Sequence, residues 1–468
     1  MSTVRIFRSY LKTPFLIIIV IEAGVLFFSV YAASYIRFYS EKSFLKLILG
    51  NLWESALMFA LITIVSMLAT GLYQGQIREG LAGVLLRIAI SFVASMILTS
   101  LIFYLFPGVL LGRGIMAIAY FLAFFMIGTL RSIFLELVDT SVLRKRILVY
   151  GASEIASLID AKLRRKSDRR GFIIIGYILL PNQVCKIDKC KLISSDSQLL
   201  TIIRELNVEE IVFATTDINF ERSVDELVGC KLNGIEVVDI LTFFEREAGQ
   251  IRVDILESAW LVTSEGFRQS KIQNSIKKVF DISVSFVILV VAAPFLILTV
   301  IAIWIEDGIK SPIFYSQQRV GQQGHHFTVY KFRSMRDDAE KSGEAVWATK
   351  TDNRVTRVGA FIRKTRLDEF PQILNVLNGT MSFVGPRPER PQFIEKLEKE
   401  IPYYDVRHMV KPGVTGWAQL LYPYGSSISD SYQKHLYDMY YVKNHTLFLD
   451  CLILLQSIEV VLFGKGAR

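Results

Sequence analysis

Four apolar segments dominate the first third of the chain: Phe15 to Ile36, Leu52 to Tyr73, Leu81 to Phe106 and Gly114 to Leu130. Each is close to the ~20 residues an α-helix needs to cross a bilayer core. With 52% hydrophobic residues in 468, the chain carries more apolar sequence than one soluble core requires, so residues 1–143 read as a four-helix transmembrane domain. The first segment lacks a small-residue cleavage site and is expected to stay attached as an anchor. Arg5, Arg8 and Lys12 precede it, and Arg131, Arg144, Lys145 and Arg146 follow the fourth, which places both ends of the bundle in the cytoplasm. Arg37, Lys42 and Lys46 in the first external loop count against that orientation. Glu22 and Arg87 fall inside apolar segments, either as a polar contact within the bundle or as snorkelling side chains.

The formal charge of +9 suits an anionic bilayer surface or phosphorylated substrates; nucleic acid is not expected as a partner. Cys185, Cys190, Cys230 and Cys451 have neither zinc-like nor disulfide-like spacing and read as reduced thiols.

From 144 to 262 the pattern changes to short buried strands between polar helices: Ile147 to Tyr150, Phe172 to Leu179, Glu210 to Ala214 and Ile235 to Asp239. This alternation predicts a small α/β domain with a parallel sheet, Rossmann-like in kind. Its first turn, Gly151-Ala152-Ser153-Glu154-Ile155-Ala156, has Ser153 and Ala156 where a dinucleotide fingerprint has its second and third glycines. Two readings stand: a nucleotide site, or a regulatory or dimerising domain that keeps only the fold. A polar linker (263–276) then leads to a second kind of membrane segment (277–305), interrupted by Pro294. If it crossed the bilayer, everything after it would face away from the cytoplasm. Pro removes a ladder hydrogen bond and clashes with the preceding turn, so a re-entrant helix broken at Pro294 is expected. Many tyrosines follow, among them Tyr403, Tyr404, Tyr422, Tyr424 and Tyr437, as suits a headgroup region, and Leu447 to Phe463 reads as an interfacial helix.

The chemistry concentrates in Arg363-Lys364-Thr365-Arg366-Leu367-Asp368-Glu369-Phe370-Pro371-Gln372. Mg²⁺ shares oxygen ligands between carboxylate and phosphate, Arg grips phosphate through paired hydrogen bonds, and a carboxylate can attack phosphorus. Pro371 favours the first turn of a helix running through Leu377 and ending at Gly379, with the acid pair at its positive end. On the pair alone, helix-capping acids fit equally well.

Its company decides. Lys331-Phe332-Arg333-Ser334-Met335, then Leu374-Asn375-Val376-Leu377-Asn378-Gly379-Thr380-Met381-Ser382-Phe383-Val384-Gly385-Pro386-Arg387-Pro388, then Lys411-Pro412-Gly413-Val414-Thr415-Gly416-Trp417 resemble the bacterial sugar transferases, the monotopic polyprenyl-phosphate phosphoglycosyl transferases. The four-helix and α/β front end resembles the large form of that family. Tyr422-Pro423-Tyr424-Gly425 and Leu462-Phe463-Gly464-Lys465-Gly466 further resemble the branch associated with exosortase-linked exopolysaccharide clusters. The resemblance implies that Asp368 is a nucleophile, Glu369 its partner, and that Mg²⁺ binds at this pair. Arg363 and Arg387 match basic residues implicated in substrate binding, with Lys331 and Arg333 added from the same basic surface. The implied reaction moves a sugar 1-phosphate from a UDP-sugar to undecaprenyl phosphate at the bacterial inner membrane, releasing UMP on the cytoplasmic side. Thr380 stands where the family often has Asp, and Leu420-Leu421-Tyr422 replaces the common Asn-Gly-Arg turn, so the sugar stays open. His325 and His326 belong to a hairpin turn, and His408 touches either substrate or Tyr404.

The expected fold class is therefore a membrane α-helical bundle, a cytosolic Rossmann-like α/β domain, and a mixed, mainly α catalytic domain (306–468) with a re-entrant membrane helix. A homodimer through the α/β domain is a further expectation. Two rival readings differ from this one. A membrane-anchored nucleotide-sugar dehydratase or epimerase would need intact glycines and a Tyr with Lys four residues on; a polysaccharide-export scaffold gives no reason for the acid pair among cations.

Overall fold

The computed structural model of the chain describes all residues except 1–2, 7–8, 41–51, 74–80, 107–110, 140–143, 164–168, 170, 182, 194–197, 216–220, 257, 265, 268–269, 310, 337–353, 423–424, 426 and 463–468. Arg8, Lys42, Lys46, Pro423, Tyr424 and the terminal Phe463-Gly464-Lys465-Gly466 lie outside the described residues. The chain divides into two units, essentially Tyr10–Ala248 and Gly249–Arg468.

The first unit opens with helices α1 (Thr13–Arg37), α2 (Leu52–Ala69), α3 (Leu81–Leu105) and α4 (Arg113–Asp139), all long and apolar enough to cross a membrane. They bury Leu26, Val30, Phe59, Met67, Ile88 and Ile127 in a common core. Val20, Phe28, Val93, Ile97 and Phe121 point outward, the all-round apolarity of helices solvated by lipid. Buried hydroxyls find partners: Ser34, Thr63 and Ser66 donate to the carbonyl one turn back, and Thr63 meets Ser95 at 2.7 Å. Glu22 and Arg87 are contacts within the bundle and do not snorkel. Arg131 donates to both oxygens of Glu22 (2.6 and 2.9 Å), Tyr73 adds its hydroxyl, and Arg87 donates to the Thr70 carbonyl.

In the same unit, β1 (Lys145–Tyr150), β2 (Phe172–Ile178), β3 (Leu192–Ile193), β4 (Glu210–Phe213) and β5 (Glu236–Asp239) form one parallel sheet ordered β3-β2-β1-β4-β5. Helices α5 (Glu154–Lys162), α6 (Leu199–Glu205), α7 (Glu221–Leu232) and α8 (Ile240–Ala248) alternate with the strands. The two-residue β3 has too little pattern to be read in sequence. All four cysteines are free thiols.

The second unit begins at Gly249. Ile251, Val253 and Leu256 are buried in this unit's core, and the Ile251 N–H donates to the Leu436 carbonyl, a contact across 185 positions that local pattern does not reveal. The long helix α9 (Lys271–Asp307) starts at a Ser270–Gln273 capping box. It carries Pro294 inside one continuous helix rather than between two. Losing a single N–H does not end a helix whose flanking turns keep their bonds, and in an apolar setting those bonds have no competitor. Both ends of α9 are tied to the same unit. Lys277 Nζ donates to Asp450 Oδ2 (2.6 Å) and the Val384 carbonyl, and Asp281 accepts from Ser382 Oγ and the Phe383 N–H. At the far end Arg333 donates to Asp307 (2.6 Å), while Glu306 accepts the Arg357 and Val358 N–H groups. Between these ties Phe286, Val290, Val291, Phe295, Ile297 and Leu298 stand exposed.

There follow the hairpin β6 (Phe314–Val320) and β7 (His326–Phe332), α10 (Arg357–Lys364), α11 (Gln372–Leu377), β8 (Ser382–Val384) and α12 (Pro391–Glu400). The chain continues with β9 (Gly413–Thr415), α13 (Trp417–Leu421), α14 (Ile428–Asn444) and α15 (Leu447–Leu462), and β8 pairs parallel with β9. Asp450 on α15 is buried, accepting from Lys277 and from the Tyr441 hydroxyl (2.7 Å).

Candidate active site

Three elements meet around the acid pair. Thr356 caps α10 by accepting the Gly359 N–H, and Gly359 lets the helix lie on backbone: a Cβ there would fall 2.0 Å from the Ser334 carbonyl oxygen. The helix ends at Thr365. Arg366 then adopts a left-handed conformation (φ 63°), which costs an L-residue roughly 1–2 kcal/mol. That reversal feeds a single 3₁₀ turn, Leu367–Glu369, with Leu367 against the cluster of Ile303, Phe332 and Ile362. Leu367 is half-buried there, Asp368 beside it is buried, and Pro371 precedes α11 directly behind. The helix ends as the pattern predicts, with Gly379 in the left-handed region (φ 78°).

The two carboxylates are treated differently. Glu369 Oε1 accepts from Lys331 Nζ (2.9 Å) and Arg387 Nη2 (2.9 Å). Burial works against its charge, but Lys331, then Arg387 and Arg366, hold it well below the usual carboxylate range. Asp368 is 8% exposed, and its Oδ1 has no hydrogen-bond partner among the described residues. Burial and then the neighbouring Glu369 charge push its carboxyl up, against the pull of Lys331, Arg363 and Arg366. One acid is thus a fixed anion inside a cationic clasp, and the other is an unengaged oxygen beside it.

Of the six side chains singled out in sequence, the structure brings four directly together: Asp368, Glu369, Lys331 and Arg387. Arg363 is close enough to act on Asp368 while donating Nε to Ser334 Oγ (2.9 Å). Arg333 instead pairs with Asp307 at the end of α9. His325 and His326 are exposed at the hairpin turn, and the ring lying against Tyr404 is that of His435, 5.1 Å away, rather than His408. Burial and the Arg407 charge push His408 down to about 4.

Sequence reasoning missed the support behind Arg387. Arg407, 5% exposed, donates to the Arg387 carbonyl (2.8 Å), to Asp438 (3.0 Å) and to the Tyr404 hydroxyl. Burial pushes Asp438 up to about 6. It also missed Gln419, whose Oε1 accepts from Arg387 Nη1 (3.4 Å). A basic residue next to a run of Pro and Gly turns was the available signal for Arg407; nothing local distinguished Asp438 from other helix acids. In the other unit, the Ala152 N–H in the glycine-poor turn is taken by Gln183 Oε1 (3.1 Å), and Glu154 occupies the first turn of α5.

The family model for bacterial sugar transferases matches residues 272–464. The chain is 40% identical over 242 residues to the UDP-N-acetylgalactosamine-undecaprenyl-phosphate N-acetylgalactosaminephosphotransferase of Aeromonas hydrophila, covering 52% of this chain and 56% of that protein. It is 33% identical over 276 residues to the UDP-glucose:undecaprenyl-phosphate glucose-1-phosphate transferase of Klebsiella pneumoniae, covering 58% of each. With the uncharacterized sugar transferase EpsL of Bacillus subtilis it shares 36% identity over 197 residues, 41% of this chain and 90% of the relative. The chain thus spans little more than half the length of the two longer relatives. Since the matched region takes in α9, the acid pair and Arg387, and accounts for nearly all of a smaller relative, this chain belongs to the bacterial sugar transferase family.

Proposed function

We propose that the chain transfers a sugar 1-phosphate from a UDP-sugar to undecaprenyl phosphate, the priming step of exopolysaccharide or glycoconjugate synthesis. The observation that carries this is the asymmetry of the acid pair: a buried Asp368 oxygen with no hydrogen-bond partner among the described residues, next to a Glu369 locked by Lys331 and Arg387. In the first step the Asp368 carboxylate attacks the β-phosphorus of the donor. The bond from that phosphorus to the bridging oxygen breaks, and UMP leaves with the electron pair. In the second, a phosphate oxygen of undecaprenyl phosphate attacks the same phosphorus and the acyl-phosphate bond to Asp368 breaks. Asp368 is thereby regenerated. Arg387, Lys331 and Arg363 would bind the donor's phosphates, and Glu369 orients Arg387 and Lys331. Related proteins are named for N-acetylgalactosamine and for glucose, so the substrate class is UDP-hexose or UDP-N-acetylhexosamine.

Mg²⁺ fits these residues. Asp368 Oδ1 and the adjacent Glu369 supply hard oxygen donors. One or two carboxylates with phosphate completing the shell is the usual Mg²⁺ arrangement. Bound there, the ion would neutralise diphosphate charge.

The reading places the enzyme in the bacterial inner membrane, multi-pass, with the second unit cytoplasmic. Support comes from α9: its apolar middle is exposed, yet Lys277 and Asp281 at one end and Glu306 and Asp307 at the other all bond to that unit. Its 37 residues would extend about 55 Å if straight, well beyond a ~30 Å hydrocarbon core. A helix that enters and returns on one side, bent at Pro294, reconciles these facts. The α/β domain has the 3-2-1-4-5 strand order of a Rossmann-like fold, but with its phosphate turn occupied by Gln183 it is left to regulation or to contacts with a second copy. The test is capture of the intermediate: UDP-sugar labelled in the β-phosphate should leave label on the wild-type protein without acceptor lipid and none on Asp368→Asn. Label retained by Asp368→Asn would overturn the assignment.

A further inference from the structure

On the far side of Arg387 from the acid pair sits a second unengaged polar atom. Lys331, Glu369, Arg387 and Gln419 form a chain of hydrogen bonds, with Glu369 Oε1 accepting from the first and third and Gln419 Oε1 accepting from Arg387 Nη1. The chain ends in the Gln419 carboxamide nitrogen. That Nε2 is buried and has no acceptor among the described residues, and it lies over Gly416, 3.7 Å from where a Cβ would be. Gly416 itself admits no side chain, since that Cβ would sit 2.2 Å from the Gly385 carbonyl. Backbone packing therefore fixes the floor under the amide.

A buried N–H without an acceptor carries a desolvation penalty that a working site recovers when an acceptor arrives. The amide's orientation is set by its other end: turning it over would point N–H₂ at the N–H of Arg387. A donor held beside a half-exposed guanidinium recognises an acceptor with negative charge and more than one oxygen. We propose that Gln419 is a substrate-binding residue, donating Nε2–H to a phosphoryl oxygen of the donor diphosphate that Arg387 also grips. This rests on the UDP-sugar reading of the site and adds a residue to it. The two orphaned atoms then have opposite parts, Asp368 Oδ1 approaching phosphorus and Gln419 Nε2 holding an oxygen on the diphosphate.

The test uses full-length protein in membranes with Gln419→Glu and Gln419→Met. Glu keeps an acceptor for Arg387 and replaces only the donor; Met keeps the volume and removes both. The expectation is a loss in kcat/KM for UMP release of about tenfold to a hundredfold in the Met variant, the size of one hydrogen bond to a charged group, and more in the Glu variant, whose carboxylate faces phosphate. UDP should weaken as a competitive inhibitor by a similar factor while uridine is unaffected. Variants within twofold of wild type, or UDP and uridine weakened equally, would overturn the proposal. Failure of the underlying reading looks different: wild-type protein would then release no UMP from any UDP-sugar.

Discussion

Two of the places where the molecule buries a carboxylate against arginine are finished in opposite ways. In the helical bundle, Arg131 donates to both oxygens of Glu22 and Tyr73 adds a third bond, with Glu22 fully buried. At the acid pair, Lys331 and Arg387 clasp Glu369 through Oε1, but Asp368 beside it has an oxygen with no hydrogen-bond partner among the described residues. A buried ion pair with every lone pair answered is inert; it holds elements together and offers nothing to a substrate. A buried carboxylate oxygen left open costs stability and is retained where chemistry uses it. The same residue types are thus finished differently at these two places, and under the proposed mechanism the open oxygen is the reactive one.

The largest effect that can break this comparison is on Asp368. Asp368→Asn should lower UMP release per folded molecule by about 10³-fold or more, as loss of an attacking group does, while thermal unfolding in detergent stays unchanged or shifts upward because the unanswered buried charge is gone. Glu22→Ala should do the reverse. It leaves Arg131 buried without its carboxylate, a loss on the order of 3–5 kcal/mol, so the unfolding temperature and yield should fall while UMP release per folded molecule stays near wild type. If Glu22→Ala unfolds normally and abolishes release, completeness of bonding does not separate the two kinds of site.

Much of this was legible along the chain, and what was not shares one cause. The apolar segments predicted α1 to α4 closely because a lipid-facing helix must be apolar at every position, a signal each residue carries alone. Asp368, Glu369, Lys331 and Arg387 could be named because their residue types sit in dense local motifs. The Ile251 contact with Leu436, the Lys277–Asp450 pair across 173 positions and the Arg407–Asp438 support for Arg387 are long-range, and no window of sequence holds both partners. The partner of Arg333 was out of reach for the same reason. Arg333 stands two residues from Lys331 on an extended segment, where side chains share a face, but Asp307 at the end of α9 captures it.

The smallest effect sharpens the comparison within the acid pair itself. Under the proposed mechanism Asp368 attacks in its ionised form, and its carboxyl is raised by burial and by the charge on Glu369, and lowered by Lys331. Activity should therefore rise with pH as Asp368 loses its proton. Glu369→Gln removes a raising influence, so the acid limb of the kcat/KM profile should move to lower pH, whatever the loss in absolute rate. Lys331→Met removes a lowering influence and should move it to higher pH. Measured at saturating Mg²⁺ and one ionic strength, the two limbs should bracket the wild-type limb. A limb that moves the same way in both variants would mean that the titrating group is not Asp368, and that the open oxygen at this site does not set the pH dependence of transfer.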